Sequence, residues 1–239
     1  MGTRKEIEAS FEKIALRISQ LPNRPEKTCP VVLEGGASLF MHGIKESYRD
    51  IDWFIPERWV KYNEIEAIRH NSDDIRNNML TEGFTFDPTF DSKVEKVVSL
   101  NGIDFELRSM SPAMNILFKL HVGRDKDFTD IQLIFGSVTP ENVVDAINDC
   151  IRINEHEHIL NIASQALSEI GCYYFLENSP KELKHNTQSL INRLEFDYST
   201  KQNLARSFGI NLETKYNPAH DQWSSESRKK TKSFPSLDM

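Results

Sequence analysis

Two aspartates one residue apart, Asp50 and Asp52 in "RDIDWFIP", give the first chemical signal in the chain. Side chains alternate across a strand, so the spacing predicts both carboxylates on one face, roughly 7 Å apart, with Ile51 and Trp53 turned into the core. A hairpin supplies more acid. "KVEKVVSL" and "IDFELRS" flank Asn101-Gly102, the strongest two-residue turn signal. Such a turn sets Ser99 opposite Asp104, Val97 opposite Glu106 and Glu95 opposite Arg108. Asp104, Glu106 and Arg108 then share one face, while Ile103, Phe105 and Leu107 fill the other.

Three carboxylates converging on one patch repel one another and raise one another's pKa values. A divalent cation reverses that cost. Oxygen-only ligation suits Mg²⁺, which keeps waters and shares its remaining positions with phosphate oxygens. Glu106 is the expected third ligand because a mid-strand residue is held on both sides; Asp104, beside the turn where the ladder frays, is the alternative. The phosphate half of such a site is offered by Gly35-Gly36, which close an apolar stretch in "PVVLEGGASLF". Paired glycines at a strand-to-helix turn let backbone N–H groups approach a phosphate at a helix N-terminus, and Ser38 in the first turn adds a hydroxyl. Alone, Gly-Gly is usually a turn and Asp-x-Asp a solvated edge strand. In this order, with a strand before, a helix between and an acid on a later hairpin, they point to a metal and phosphate site.

The elements that must position these groups read as follows. Residues 3–20 read as a helix on the near-helical spacing of Ile7, Phe11, Ile14, Leu16 and Ile18. A strand covers 30–34, a short helix "ASLFMHG", and a second strand "DIDWFIP", ended by Pro56. Residues 60–82 read as helix, stopping at Gly83. Ser111-Pro112 starts another helix that Gly123 stops, and Thr139-Pro140 and Ser179-Pro180 repeat the start signal, so 140–209 reads as three or four helices. The expected organisation is a domain over 1–125, a helical lobe over 126–211, and a disordered tail over 212–239. The basic run "SRKKTK" falls in that tail and reads as a solvated end.

Composition excludes several classes. The chain has 239 residues and a net charge of −7, so it does not coat nucleic acid non-specifically; a nucleic-acid contact would be a local patch. No apolar run approaches a membrane span of about 20 residues, and the N-terminal stretch is amphipathic and charged, unlike a signal peptide. Three cysteines without metal-site spacing favour free thiols and a cytoplasmic location. His156 and His158, two apart on a helix, do not share a face and read as surface residues. Tyr173, Tyr174 and Phe175 read as core anchors. Lys119, Arg124 and Lys126 crowd one turn, either as a solvated cationic patch or as phosphate partners.

"LEGGASLF", "RDIDWFIP" and the acid in "GIDFEL" together resemble the nucleotidyltransferase superfamily with the polymerase-beta-like fold. "LHVGRDKDFTDIQLI" resembles the R-x-K-D-x-x-D segment of minimal nucleotidyltransferases, which include toxin subunits of type IV toxin–antitoxin systems and antibiotic-modifying adenylyltransferases. The resemblance spans residues 30–135. It implies an α+β fold, a small mixed sheet flanked by helices and followed by a helical half. It implies that Gly35 and Gly36 hold a triphosphate and that Asp50, Asp52 and Glu106, or Asp104 in its place, hold a pair of Mg²⁺ ions. Lys126 would neutralise triphosphate charge, and Asp127 would orient it or cap the following helix. The implied reaction moves a nucleoside monophosphate from an NTP such as ATP to a hydroxyl on RNA or a tRNA end, a small molecule or a protein, with an antitoxin-type protein as a further partner. One departure matters: the superfamily's third acid is most often Asp, and here "DFE" offers two. If neither meets the metals, the chain is a non-catalytic nucleotide- or protein-binding relative.

Overall fold

Helix α1 (Arg4–Ser19) opens the chain, held at its start by a capping box between Thr3 and Glu6. The computed structural model describes residues 2–22, 27–70, 73–76, 80–81, 84–85, 89 and 91–212. Its centre is a mixed sheet of β1 (Thr28–Glu34), β2 (Asp52–Phe54), β3 (Asp74–Arg76), β6 (Ser92–Leu100) and β7 (Ile103–Met110), in the order β3-β2-β1-β7-β6. A two-stranded ribbon, β4 (Leu80–Thr81) and β5 (Phe84–Thr85), stands apart. Helix α2 (Gly35–Met41) follows β1 directly. After a 3₁₀ turn (Tyr62–Glu64) comes the one-turn helix α3 (Ile65–Ile68). The second half is helical: α4 (Pro112–Val122), α5 (Asp125–Phe135), α6 (Pro140–Ile153), α7 (His156–Tyr174), α8 (Pro180–Arg193) and α9 (Tyr198–Ser207). The class is α+β with a helical C-terminal half.

Two apolar clusters sandwich the sheet. On one face Ile7, Phe11, Ile14 and Ile18 of α1 meet Val31, Leu33, Trp53, Phe105 and Leu107. On the other, Val32, Leu39, Phe54 and Met110 merge with the core of α4 to α9. The helical half therefore has no separate core from the sheet. Helix α4, on the N-terminal side of the expected boundary at 125, packs against α5, α6 and α7. The tail begins at residue 212; its residues 213–239, the basic run included, lie outside the described residues.

The turn at Asn101-Gly102 has both residues at positive φ (52° and 79°), as a primed hairpin turn requires. Ser99 pairs with Asp104 and Val97 with Glu106. Glu95 does not face Arg108. A bulge between Val94 and Lys96 puts Val94 there, and the one-residue slip turns Glu95 to the α1 side, where it meets Ser109, Arg4 and Lys93. Residues 60–82 are not a single helix either. Helix α3 ends at Ile68, where Arg69 leaves helical backbone, and β3 adds a short parallel edge strand beside β2.

Candidate active site

The register of the sheet decides what meets Asp52. Strand β1 pairs antiparallel with β2, setting Glu34 opposite Asp52, and β2 pairs parallel with β3, setting Asp52 opposite Asp74. Three carboxylates thus stand in one row across three strands, on the face that Val32 and Phe54 share toward the helices. Strand β2 begins at Asp52, so Asp50 precedes the ladder. Its side chain is 65% exposed and lies 3.9 Å from the Arg49 guanidinium. Burial raises the Asp52 carboxyl above its ordinary range; Arg76 opposes this, Asp74 and Asp50 add to it, and Arg124 opposes it.

The glycine turn touches this row. Gly35 has φ +56°, a conformation open to glycine at little cost, and a Cβ built on it would lie 3.2 Å from Asp52 Oδ2. Gly36 has nothing within 4 Å of where its Cβ would be. The structure thus brings Gly35, Gly36, Asp50 and Asp52 together, at the carboxyl end of β1.

The other expected site residues are placed elsewhere. Ser38 is fully buried, and its Oγ donates to the Met110 carbonyl at 2.8 Å. It pins α2 to the end of β7 and does not face the glycine turn's solvent side. Glu106 pairs in register with Pro30, four positions before Glu34 along β1, and one strand further from β2. At about 3.3 Å per residue and 4.8 Å per strand, it lies on the order of 15 Å from Asp52. Arg108 holds its carboxylate at 2.8 Å. Asp104 is further off still, level with Thr28, exposed, and accepts from Ser99 Oγ. Neither hairpin acid joins the aspartate pair: alternation places them on the correct face, but the parallel pairing with β1 puts them at the wrong height.

Lys126 is exposed in the first turn of α5. Asp127 turns inward, 1% exposed, and forms the capping box of α5 with Arg124. Burial alone would raise its pKa, but hydrogen bonds from Arg124 (2.7 Å) and Lys119 (3.2 Å) hold the carboxyl below the usual range. Lys119 is itself buried and also reaches Asp130 at 2.6 Å, and Asp130 meets Lys45 at 2.6 Å. This network ties the segment leading to Asp50 to α4 and α5. Of the three cations in that turn, Lys119 is spent on structure and Arg124 faces Asp52 closely enough for each to shift the other's pKa. His156 is not a free surface group: Nδ1 meets Asp197 at 2.9 Å. The side chain of His158 lies outside the described residues. Tyr174 donates to the carbonyls of Phe135 and Val138, and Tyr173 stacks on Phe135.

Sequence reasoning missed Glu34, Asp74 and Arg76. Arg76 pairs with Asp74 at 3.1 Å and lies 5.8 Å over the Phe118 ring. Glu34 is 1% exposed, and among the described residues neither of its oxygens has a hydrogen-bond partner. Burial pushes its carboxyl up to about 8; Arg76 opposes this while Asp52 and Asp74 reinforce it. The signal was present as a lone acid closing the apolar run "PVVLE" before two glycines.

Among the described residues no three His, Cys, Asp or Glu side chains are placed to hold a metal ion by themselves. Mg²⁺ asks for less: one or two carboxylates, with water and phosphate completing the shell. The row around Asp52 fits that demand. Its donors are all oxygen, two buried oxygens of Glu34 have no hydrogen-bond partner among the described residues, and Gly35 leaves open the space that a Cβ would take beside Asp52. Among the described residues no helix is long and apolar enough to cross a membrane. Comparison with protein-family models, with curated proteins and with solved structures gives no match.

Proposed function

We propose that the chain is a metal-dependent nucleotidyltransferase, moving a nucleoside monophosphate from an NTP to a hydroxyl acceptor with release of pyrophosphate. The observation that supports this is the closeness of the glycine turn to Asp52, 3.2 Å from where a Gly35 Cβ would be: the turn that would cradle phosphate and the carboxylate that would hold metal lie at one strand end. Asp50 and Asp52 would hold Mg²⁺, which when bound polarises the phosphate and neutralises its charge. The backbone N–H groups at Gly35 and Gly36 would donate to the phosphates. Arg76 and Arg124, both within the field of Asp52, balance the remaining negative charge, and Lys126 stands exposed two residues on from Arg124. The acceptor oxygen forms the new bond to the α-phosphorus as the bridge to the β-phosphate breaks, and the acceptor proton leaves to water. Most of the catalysis is positioning and charge stabilisation. The acceptor is an RNA or tRNA end, a small molecule or a protein, and an antitoxin-type partner belongs to this reading. So does a cytoplasmic location: Cys29, Cys150 and Cys172 are all free.

One observation favours a second reading. Glu106 is held by Arg108 and far from Asp52, as in a relative that binds nucleotide or protein without turnover. The two readings separate in one experiment. The protein is incubated with each α-labelled NTP, Mg²⁺ and cell extract, with Asp52→Asn alongside. Transfer of label by the wild type only is expected. Absence of NTP consumption and of any labelled product in the wild type would leave the binding reading standing.

A further inference from the structure

We propose that Phe128, at the corner between α4 and α5, is the platform on which the nucleobase of the NTP stacks. The ligand rests on the nucleotidyltransferase reading; the placement of the corner does not.

A single exposed apolar side chain is ordinary on a protein surface. What sets Phe128 apart is where it stands. Among the described residues it is the one exposed phenylalanine, 44% accessible, and it belongs to neither apolar cluster. Three contacts bring its corner beside the row around Asp52. Lys45, on the segment leading to Asp50, meets Asp130 of α5 at 2.6 Å. Arg76, paired with Asp74 in that row, lies 5.8 Å over the Phe118 ring of α4. Helix α4 also packs on α2, the helix that Gly35 and Gly36 open. Gly123, at φ +67°, then turns the chain so that α5 begins two residues later.

Along α5 the side chains sort by chemistry. Asp127 and Asp130 turn inward onto Lys119. Arg124 is exposed, held over the first turn by Asp127 at 2.7 Å, and within the field of Asp52. Lys126 is exposed beside it. Phe128 follows Arg124 by four residues, one turn or about 6 Å along the helix axis. An NTP carries its parts in a matching order: an anionic triphosphate, a ribose spacer, and a base with two apolar faces. The cations at 124 and 126 suit the first part and the phenylalanine ring suits the last. Val122, exposed at the end of α4, adds apolar surface two residues before Arg124. Stacking on an aromatic ring is tolerant of base identity, because every base has a π-face. This contact would therefore supply affinity for a nucleoside triphosphate over a bare polyphosphate, without choosing the base.

The test compares two ligands that differ in the base. The α,β-methylene analogues of ATP, GTP, CTP and UTP, and inorganic tripolyphosphate, are titrated with Mg²⁺ into the full chain by isothermal titration calorimetry. Phe128→Ala should weaken the tightest-bound analogue by about fivefold to a hundredfold, the range that loss of one stacked base costs, and leave tripolyphosphate within about twofold. Phe128→Trp, which keeps a flat ring, should hold the analogue within about threefold of the wild type. Thermal melts establish that each variant is folded. Unchanged analogue binding in Phe128→Ala would overturn the platform and leave the nucleotidyltransferase reading intact. Equal losses of analogue and tripolyphosphate would also overturn it, since a merely structural role weakens both. So would a loss in Phe128→Trp as large as in Phe128→Ala, or a wild type that binds the analogues no more tightly than tripolyphosphate. Binding of neither ligand class by the wild type would remove both proposals.

Discussion

Replacing Glu34 by Gln should make the metal-free protein more stable, and by more the higher the pH. Burial holds this carboxyl at about 8 against an ordinary value of 4.5, so between those values the folded chain keeps a proton that the unfolded chain has released. Stability linked to this group is whole below pH 4.5 and drains away as pH rises toward 8. At 1.36 kcal/mol per pKa unit the deficit is under about 1 kcal/mol at pH 5 and about 3 kcal/mol at pH 7. Gln has nearly the same shape and an equally unpaired carbonyl oxygen, but no charge to suppress, so it removes the deficit. Urea unfolding in EDTA at pH 5 and pH 7 measures it: the variant should gain about 2–3 kcal/mol over the wild type at pH 7 and under about 1 at pH 5. A gain equal at both pH values would refute the burial argument. A loss at pH 7 would mean that the wild-type carboxylate has a partner.

Three further outcomes follow from the geometry. Asp52→Asn should fold and lose turnover by several orders of magnitude, because a metal ligand acts with its site as a unit; steady-state assay with labelled NTP checks this, and near-wild-type turnover would refute it. Gly35→Ala should cost at least about 1 kcal/mol in a thermal melt, through the left-handed backbone and the 3.2 Å approach to Asp52 Oδ2, whereas Gly36→Ala, with open space around it, should stay within about 0.5 kcal/mol. Lys119→Met takes one of two cations from each of the buried Asp127 and Asp130, leaving them Arg124 and Lys45, and should destabilise by about 2–3 kcal/mol in urea, with a loss under about 1 counting against the buried network.

The parts of the fold legible in the sequence are those specified by neighbours in the chain. Asn101-Gly102 fixed the hairpin and two of its three cross-strand pairs, and Ser111-Pro112, Thr139-Pro140 and Ser179-Pro180 each start a helix. The bulge that turned Glu95 around adds one residue without a local signature. Strand β3 is three residues long and exists because β2 offers it an edge, so Asp74 and Arg76 were out of reach. The glycine turn and Asp52 were legible as types at a spacing, and they do meet. The acid that lies opposite Asp52, Glu34, was not. Alternation tells which face Glu106 takes; how far along the sheet it sits depends on the register of β7 against β1, two segments remote in sequence. Ser38 shows the same limit, since its place in the first turn of α2 is local but its Met110 partner is not.

That remote pairing also sets a timetable. The central strands β1 and β7 lie roughly 75 positions apart in the chain, and contacts that close so long a loop form late and slowly. Strand β1 cannot gain its parallel neighbour until the Asn101-Gly102 hairpin has been synthesised, and α2 cannot be pinned until Met110 is in place. A chain halted on the ribosome before residue 110 would carry β1, β2 and β3 with their row of carboxylates, yet would lack the full hairpin that covers the other edge of β1 and the carbonyl that pins α2. The sheet is therefore completed only after the first 110 residues have emerged, when the hairpin docks against β1.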